Sequence, residues 1–135
     1  MIKRRNLRTV LMTGALLSAG AAEAADRAPP AKETRVLERI EAPGDHRQMG
    51  MGIAEFPPNA EKPRHMANGP EVAYVLEGQV TVIVDGQPPR VVHAGESYQM
   101  GANVAHITRA GPAGAKVLAT WILIPGQPFN TVLPN

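Results

Sequence analysis

The stretch His65-Met66-Ala67-Asn68-Gly69-Pro70-Glu71-Val72-Ala73-Tyr74-Val75-Leu76-Glu77-Gly78-Gln79-Val80-Thr81-Val82-Ile83-Val84-Asp85-Gly86 decides the fold class. Two β-rich runs, Glu71 to Leu76 and Gln79 to Val84, are set off by Gly-Pro, Glu-Gly and Asp-Gly turn signals, and neither run carries helical periodicity. Val, Ile and Thr favour the pleated surface of a strand because their branched side chains are stiff. The same grammar extends outward in both directions. Further strands are expected at Thr34 to Glu41, Gln48 to Phe56, Arg90 to His93, Val104 to Arg109 and Lys116 to Ile124, with turns at Pro43-Gly44, Pro57-Pro58, Asn68-Gly69-Pro70, Ala94-Gly95 and Gly111-Pro112. Short strands at this spacing in 135 residues read as one all-β domain, a sandwich or a barrel.

Thirteen Gly and thirteen Pro fit a chain of many turns and few helices. Aromatic residues make up only 4%, so the core must be built from Val, Ile, Leu, Ala and Met. The formal charge of +2 comes from Lys3, Arg4, Arg5 and Arg8. Residues 25–135 carry 10 basic and 11 acidic side chains, and no Lys/Arg cluster remains there to neutralise a run of phosphates. Nucleic acid is excluded as a partner on that ground.

Residues 1–24 read as a secretory signal peptide: a basic start, an apolar run from Val10 to Gly20, and Ala22-Glu23-Ala24 ahead of Ala25. The run is too short for a stable membrane anchor after cleavage. Arg4-Arg5-Asn6-Leu7 resembles part of a twin-arginine signal, with Arg8 departing from it, so the general secretory and twin-arginine routes both stay open. The expected location is periplasmic or secreted. Residues 25–33, rich in Pro, Ala and charge, are expected to be a flexible lead-in, and residues 34–135 the folded domain. The chain has no cysteine, which excludes disulfides, thiol catalysis and thiolate metal sites.

Chemistry concentrates on His65, Glu71 and His106. Two imidazoles and a carboxylate are a recurrent ligand set for a divalent transition metal that keeps positions open for water, oxygen or substrate. The alternative is a metal-free pocket in which Glu71 pairs with one of the two histidines, because an unpaired buried carboxylate is costly. His46 and His93 sit beside turns and are expected to be solvated. Met49, Met51, Met66 and Met100 raise a copper reading through thioether ligation, against the commoner use of Met as core filler. Arg64, Tyr74, Tyr98 and Gln99 are candidates for the pocket or its mouth. Strand alternation turns Tyr74 away from the Glu71 side and lets only one of Tyr98 and Gln99 face inward.

This arrangement resembles the two motifs of the cupin superfamily, antiparallel β-barrels of the double-sheet jelly-roll type. In the first motif His65, Glu71 six positions later and Gly78 after six more residues match the family spacing. In the second, Gly95, Gly101 and His106 follow the family order. Ala67 stands where the family usually has the second histidine of His-x-His, and Asn59, Gly101, Asn103 and Ala110 replace other motif positions. The resemblance covers most of residues 45–125 and extends to small exported bacterial cupins. It implies a metal-dependent small-molecule site on His65, Glu71 and His106, holding iron, manganese, zinc or nickel, with copper a lesser candidate and a metal-free site the alternative that Ala67 raises. Oxygenase or isomerase chemistry and a non-catalytic periplasmic binder of a metabolite or metal ion are both compatible with that fold. A homodimer is expected, with Thr34 to Glu41 adding a strand to a neighbour.

Overall fold

The computed structural model describes residues 27–134, and the signal-peptide reading therefore lies outside the described residues. Eight strands follow one another: β1 (Arg35–Ala42), β2 (Arg47–Phe56), β3 (Glu61–Ala67), β4 (Glu71–Val84), β5 (Arg90–His93), β6 (Ser97–Met100), β7 (His106–Leu123) and β8 (Asn130–Val132). All pair antiparallel in one continuous sheet, as the all-β, cupin-type reading expects.

Two long strands turn this sheet into a barrel-like fold. β4 and β7 pair along nearly their whole lengths, from Glu71 opposite Trp121 to Val84 opposite His106. The early part of β4 and the late part of β7 carry β6, β2 and β1, while their other ends carry β5, β3 and β8. Between the two ends the register slips at Val75/Glu77 and at Gly78/Val80. Such bulges bend a strand and change which residues face which side. The inward, buried residues of β4 are accordingly Ala73 and Val75 before the corner and Val80 and Val82 after it. The inward set of β7 likewise passes from His106, Thr108 and Ala110 to Val117, Ala119 and Trp121.

This corner corrects the expectation of separate strands. Glu77-Gly78 and Gly111-Pro112 carry turn chemistry, but both strands run on through these points, with Gly111 to Gly114 bulging out between the paired Ala110 and Ala115. Gly78 has φ +70°, and a Cβ on it would stand 2.1 Å from the Gly114 carbonyl oxygen, so only glycine lets the two strands cross so closely. β3, β6 and β8 were not expected as strands. Their polar or Pro-containing sequences give little β signal, and pairing partners supplied from far along the chain decide them.

The two halves enclose one core. Ala54, Phe56, Ala73, Val75, Tyr98, Val117, Ala119 and Trp121 from one half meet Ala60, Val80, Val82, Val92 and Ala110 from the other. Residues expected as a flexible lead-in are bonded to the sheet: Ala31 N–H donates to Glu61 O at 3.1 Å, Lys32 N–H to Glu55 O at 3.1 Å, and Glu61 N–H to Pro29 O at 2.7 Å. The backbone N–H and C=O of Glu61 at the start of β3 are both satisfied by this segment.

Candidate functional site

A cavity of about 70 Å³ lies between the two halves, room for several waters or part of a small organic ligand. His65, His106 and Thr108 line it from β3 and β7 in one half, and Glu71, Tyr98, Val117, Ala119 and Trp121 line it from β4, β6 and β7 in the other. Alternation explains each placement. His65 and Ala67 share the buried face of β3 while Met66 faces away, and Glu71 lies on the same face of β4 as buried Ala73 and Val75.

His65 and His106 are opposed across the β3–β7 ladder. Their ring centroids are 4.2 Å apart at 50°, and both residues are buried. Each ring bonds through Nδ1 to a backbone carbonyl two residues earlier, His65 to Pro63 O at 2.7 Å and His106 to Val104 O at 2.9 Å. A carbonyl can only accept, so Nδ1 carries the proton and donates it, and Nε2 is left with a lone pair. That is the tautomer a metal ligand or a hydrogen-bond acceptor needs. Burial pushes the pKa of His65 down to about 4, with the nearby charges of His106 and Lys62 adding to the effect against the Pro63 bond. His65 is therefore neutral at ordinary pH.

The sequence-selected trio is gathered only in part. Glu71 lines the same cavity, half-buried, but among the described residues no three His, Asp or Glu side chains cluster closely enough to hold a metal ion. Ala67 is buried and is not among the cavity's lining residues, so packing fills the place of the second motif histidine. Of the candidate mouth residues only Tyr98 reaches the cavity. Burial, and then the negative charge of Glu71, raise its pKa above the usual phenol range, so it stays a protonated donor. Tyr74 and Gln99 are exposed, and Arg64 turns to Asp85 and the Pro134 carbonyl. His46 and His93 are exposed, as expected. None of Met49, Met51, Met66 and Met100 lines the cavity, and Met100 belongs to the core, so the copper reading gains nothing.

Sequence reading missed Lys62, Phe56, Trp121, Phe129 and Asn130 as lining residues. Thr108 was missed as well, although its place two positions after His106 on one strand face is a signal that could have found it. Phe129 and Asn130 carried no local signal and arrive through the β3–β8 pairing.

The comparisons agree with this architecture. A family model described as the cupin domain matches residues 52–122. Dimethylsulfoniopropionate lyase DddW of Ruegeria pomeroyi is 37% identical over 70 residues, which cover 52% of this chain and 45% of that protein. The chain thus spans about half the length of the curated relative it matches. Among solved structures, the DMSP lyase DddQ from Ruegeria pomeroyi superposes with a TM-score of 0.59 at 17% identity, covering 92% of this chain and 59% of that one. An RmlC-like cupin from Shewanella frigidimarina gives a TM-score of 0.52 at 24% identity, covering 71% of this chain and 96% of that one. Both structural likenesses bear on the fold. With the family model spanning more than half of its length, over the strands that carry Glu71 and His106, the chain belongs to the cupin family.

Proposed function

We propose that this chain is an exported cupin that binds a small organic molecule in the His65–His106 cavity, where the two imidazoles would hold a divalent transition metal and Glu71, which stands apart from them in this structure, would have to close in to complete the ligand set. The observation that carries the reading is the imidazole pair: both Nδ1 atoms are committed to backbone carbonyls, both Nε2 atoms keep their lone pairs, and burial holds His65 neutral. These are the donor properties that a metal of the iron, manganese, zinc or nickel group requires. When bound, the metal supplies Lewis-acid polarisation of a ligand oxygen.

The protein's own contribution is positioning. The Tyr98 hydroxyl, kept protonated, donates a hydrogen bond to the ligand, and Phe56, Trp121 and Phe129 exclude water around it. Likeness to a dimethylsulfoniopropionate lyase supports an enzyme acting on a small metabolite, so a lyase joins oxygenase and isomerase as reaction classes. The test is elemental analysis of protein matured through its own leader. Stoichiometric metal that is lost in His106→Ala and in Glu71→Ala is expected, and fully folded wild-type protein without metal would overturn the metal assignment.

A second reading, a metal-free binding module, is favoured by Ala67 and by the absence of a three-donor cluster among the described residues. There the imidazole Nε2 atoms accept hydrogen bonds from the ligand directly. Saturable ligand binding that chelators leave unchanged identifies this case. The homodimer proposal rests on β1, a terminal strand of the sheet with exposed Val36, Leu37 and Ile40. Sedimentation at micromolar concentration checks it, and a monomer alone would remove it.

A further inference from the structure

Lys62 is the one lysine or arginine that lines the cavity, among the described residues. Its position follows from register. Lys62 lies opposite Thr108, which is buried and faces inward, whereas the neighbouring Glu61 lies opposite Arg109 and pairs with it on the outside. Lys62 is half-buried. Lys32, Arg64, Arg109 and Lys116 each have a carboxylate partner, in Glu55, Asp85, Glu61 and Glu77. Lys62 has none among the described residues. Among the described residues Glu71 is the only carboxylate lining the same cavity, and no salt bridge joins it to Lys62.

Lys62 also stands in the neck of the cavity. Thr34, Lys62, His65 and Asn130 line both the inner space and a wider vestibule of about 420 Å³ outside it. A cation without a protein counter-ion can pair with a ligand that brings the opposite charge. Beyond the neck the walls mix the two imidazoles, Glu71 and Thr108 with apolar and aromatic side chains. Phe56, Tyr98, Trp121 and Phe129, four of the chain's five aromatic residues, all reach this cavity. A pocket with one cation at its entrance and aromatic walls behind suits a molecule with an anionic head and an apolar remainder.

We propose that Lys62 selects small organic carboxylates, pairing with the carboxylate at the neck while the apolar remainder lies against Trp121 and Phe129. The inference rests on the reading of this cavity as the small-molecule site, and it names the class of molecule that enters. It holds whether or not a metal is present.

Trp121 is the only tryptophan in the chain and lines the cavity, so its fluorescence reports on this site alone. The experiment titrates the full mature protein, metal-loaded and metal-stripped, with butyrate and with butyramide, which has the same carbon skeleton and no charge. In both forms butyrate is expected to bind about ten- to a hundred-fold more tightly than butyramide, with affinity falling as salt rises. Lys62→Met, which keeps the apolar stem, is expected to abolish the preference, and Lys62→Arg to retain it. Equal binding of acid and amide, no response to either, or a preference that survives Lys62→Met in metal-stripped protein would overturn the proposal. Metal that binds to the imidazole pair without any carboxylate preference sinks Lys62 selection and leaves the metal site standing. A Lys62-dependent preference in protein that takes up no metal does the reverse.

Discussion

His65 and His106 face each other across adjacent strands with ring centroids 4.2 Å apart, and each donates its Nδ1 proton to the carbonyl two residues before it. The i to i−2 bond is a local device, set by strand geometry, while the facing of the rings is set by pairing between distant segments. Together they place two acceptor nitrogens in one small cavity.

The low pKa of His65 makes stability depend on pH. With the folded value at about 4 and the ordinary histidine value at 6.5, the unfolded chain binds more protons between those limits. Stability from this group is full above pH 6.5, falls as pH drops through the window, and changes no further below about 4. Thermal unfolding followed from pH 8 to pH 4 checks this, and in His65→Gln the fall is expected to be shallower. An unchanged slope in that variant would count against the assignment.

Gly78→Ala is expected to destabilise the fold by roughly 1–3 kcal/mol, through its positive φ, and by more if the Gly114 backbone cannot give way. Gly86→Ala is the control: its φ is +74° but no atom lies within 4 Å of the added Cβ, so about 1–2 kcal/mol is expected. Urea unfolding of the two variants separates backbone strain from the clash at the corner.

Gly50 sits beneath the indole of Trp121, where an added Cβ would lie 2.6 Å from a ring carbon. Gly50→Ala therefore displaces Trp121 into the cavity, at an overpacking cost of about 1–3 kcal/mol. A shifted Trp121 emission maximum with weakened ligand response is expected, and unchanged emission would show that the ring has room to move elsewhere.

Arg64 grips Asp85 through a forked contact and donates to the Pro134 carbonyl at 2.7 Å, while its own carbonyl accepts from Leu133. The guanidinium holds the Asp85 carboxyl below its usual range. Arg64→Ala is expected to loosen β8 and speed proteolysis after residue 130 with little change in global unfolding. Arg64→Lys restores only part of the protection, because an ammonium lacks the planar fork.

How much of this was legible differs from residue to residue. The valines of β4, the apolar end of β7 from Val117 onward and their turn residues announced an all-β chain, and the spacing from His65 to Glu71 to Gly78 carried the cupin resemblance. Glu77-Gly78 misled, because a glycine that ends a strand and one that bends it look alike until the partner strand is known. β3 was invisible for a related reason: Glu61-Lys62-Pro63-Arg64 has no alternating apolar set, and its strand state comes from β7 and β8.

By itself, the order of residues determined the strand-forming character of the chain, its family, and the two imidazoles that share a site. Tertiary pairing alone decided that Glu71 stays apart from a three-donor cluster, that Lys62 turns inward, and that Trp121 and Phe129 wall the cavity. Alternation along one strand is a local property with a period of two, whereas the facing of two strands depends on register and on bulges fixed only when the whole sheet closes.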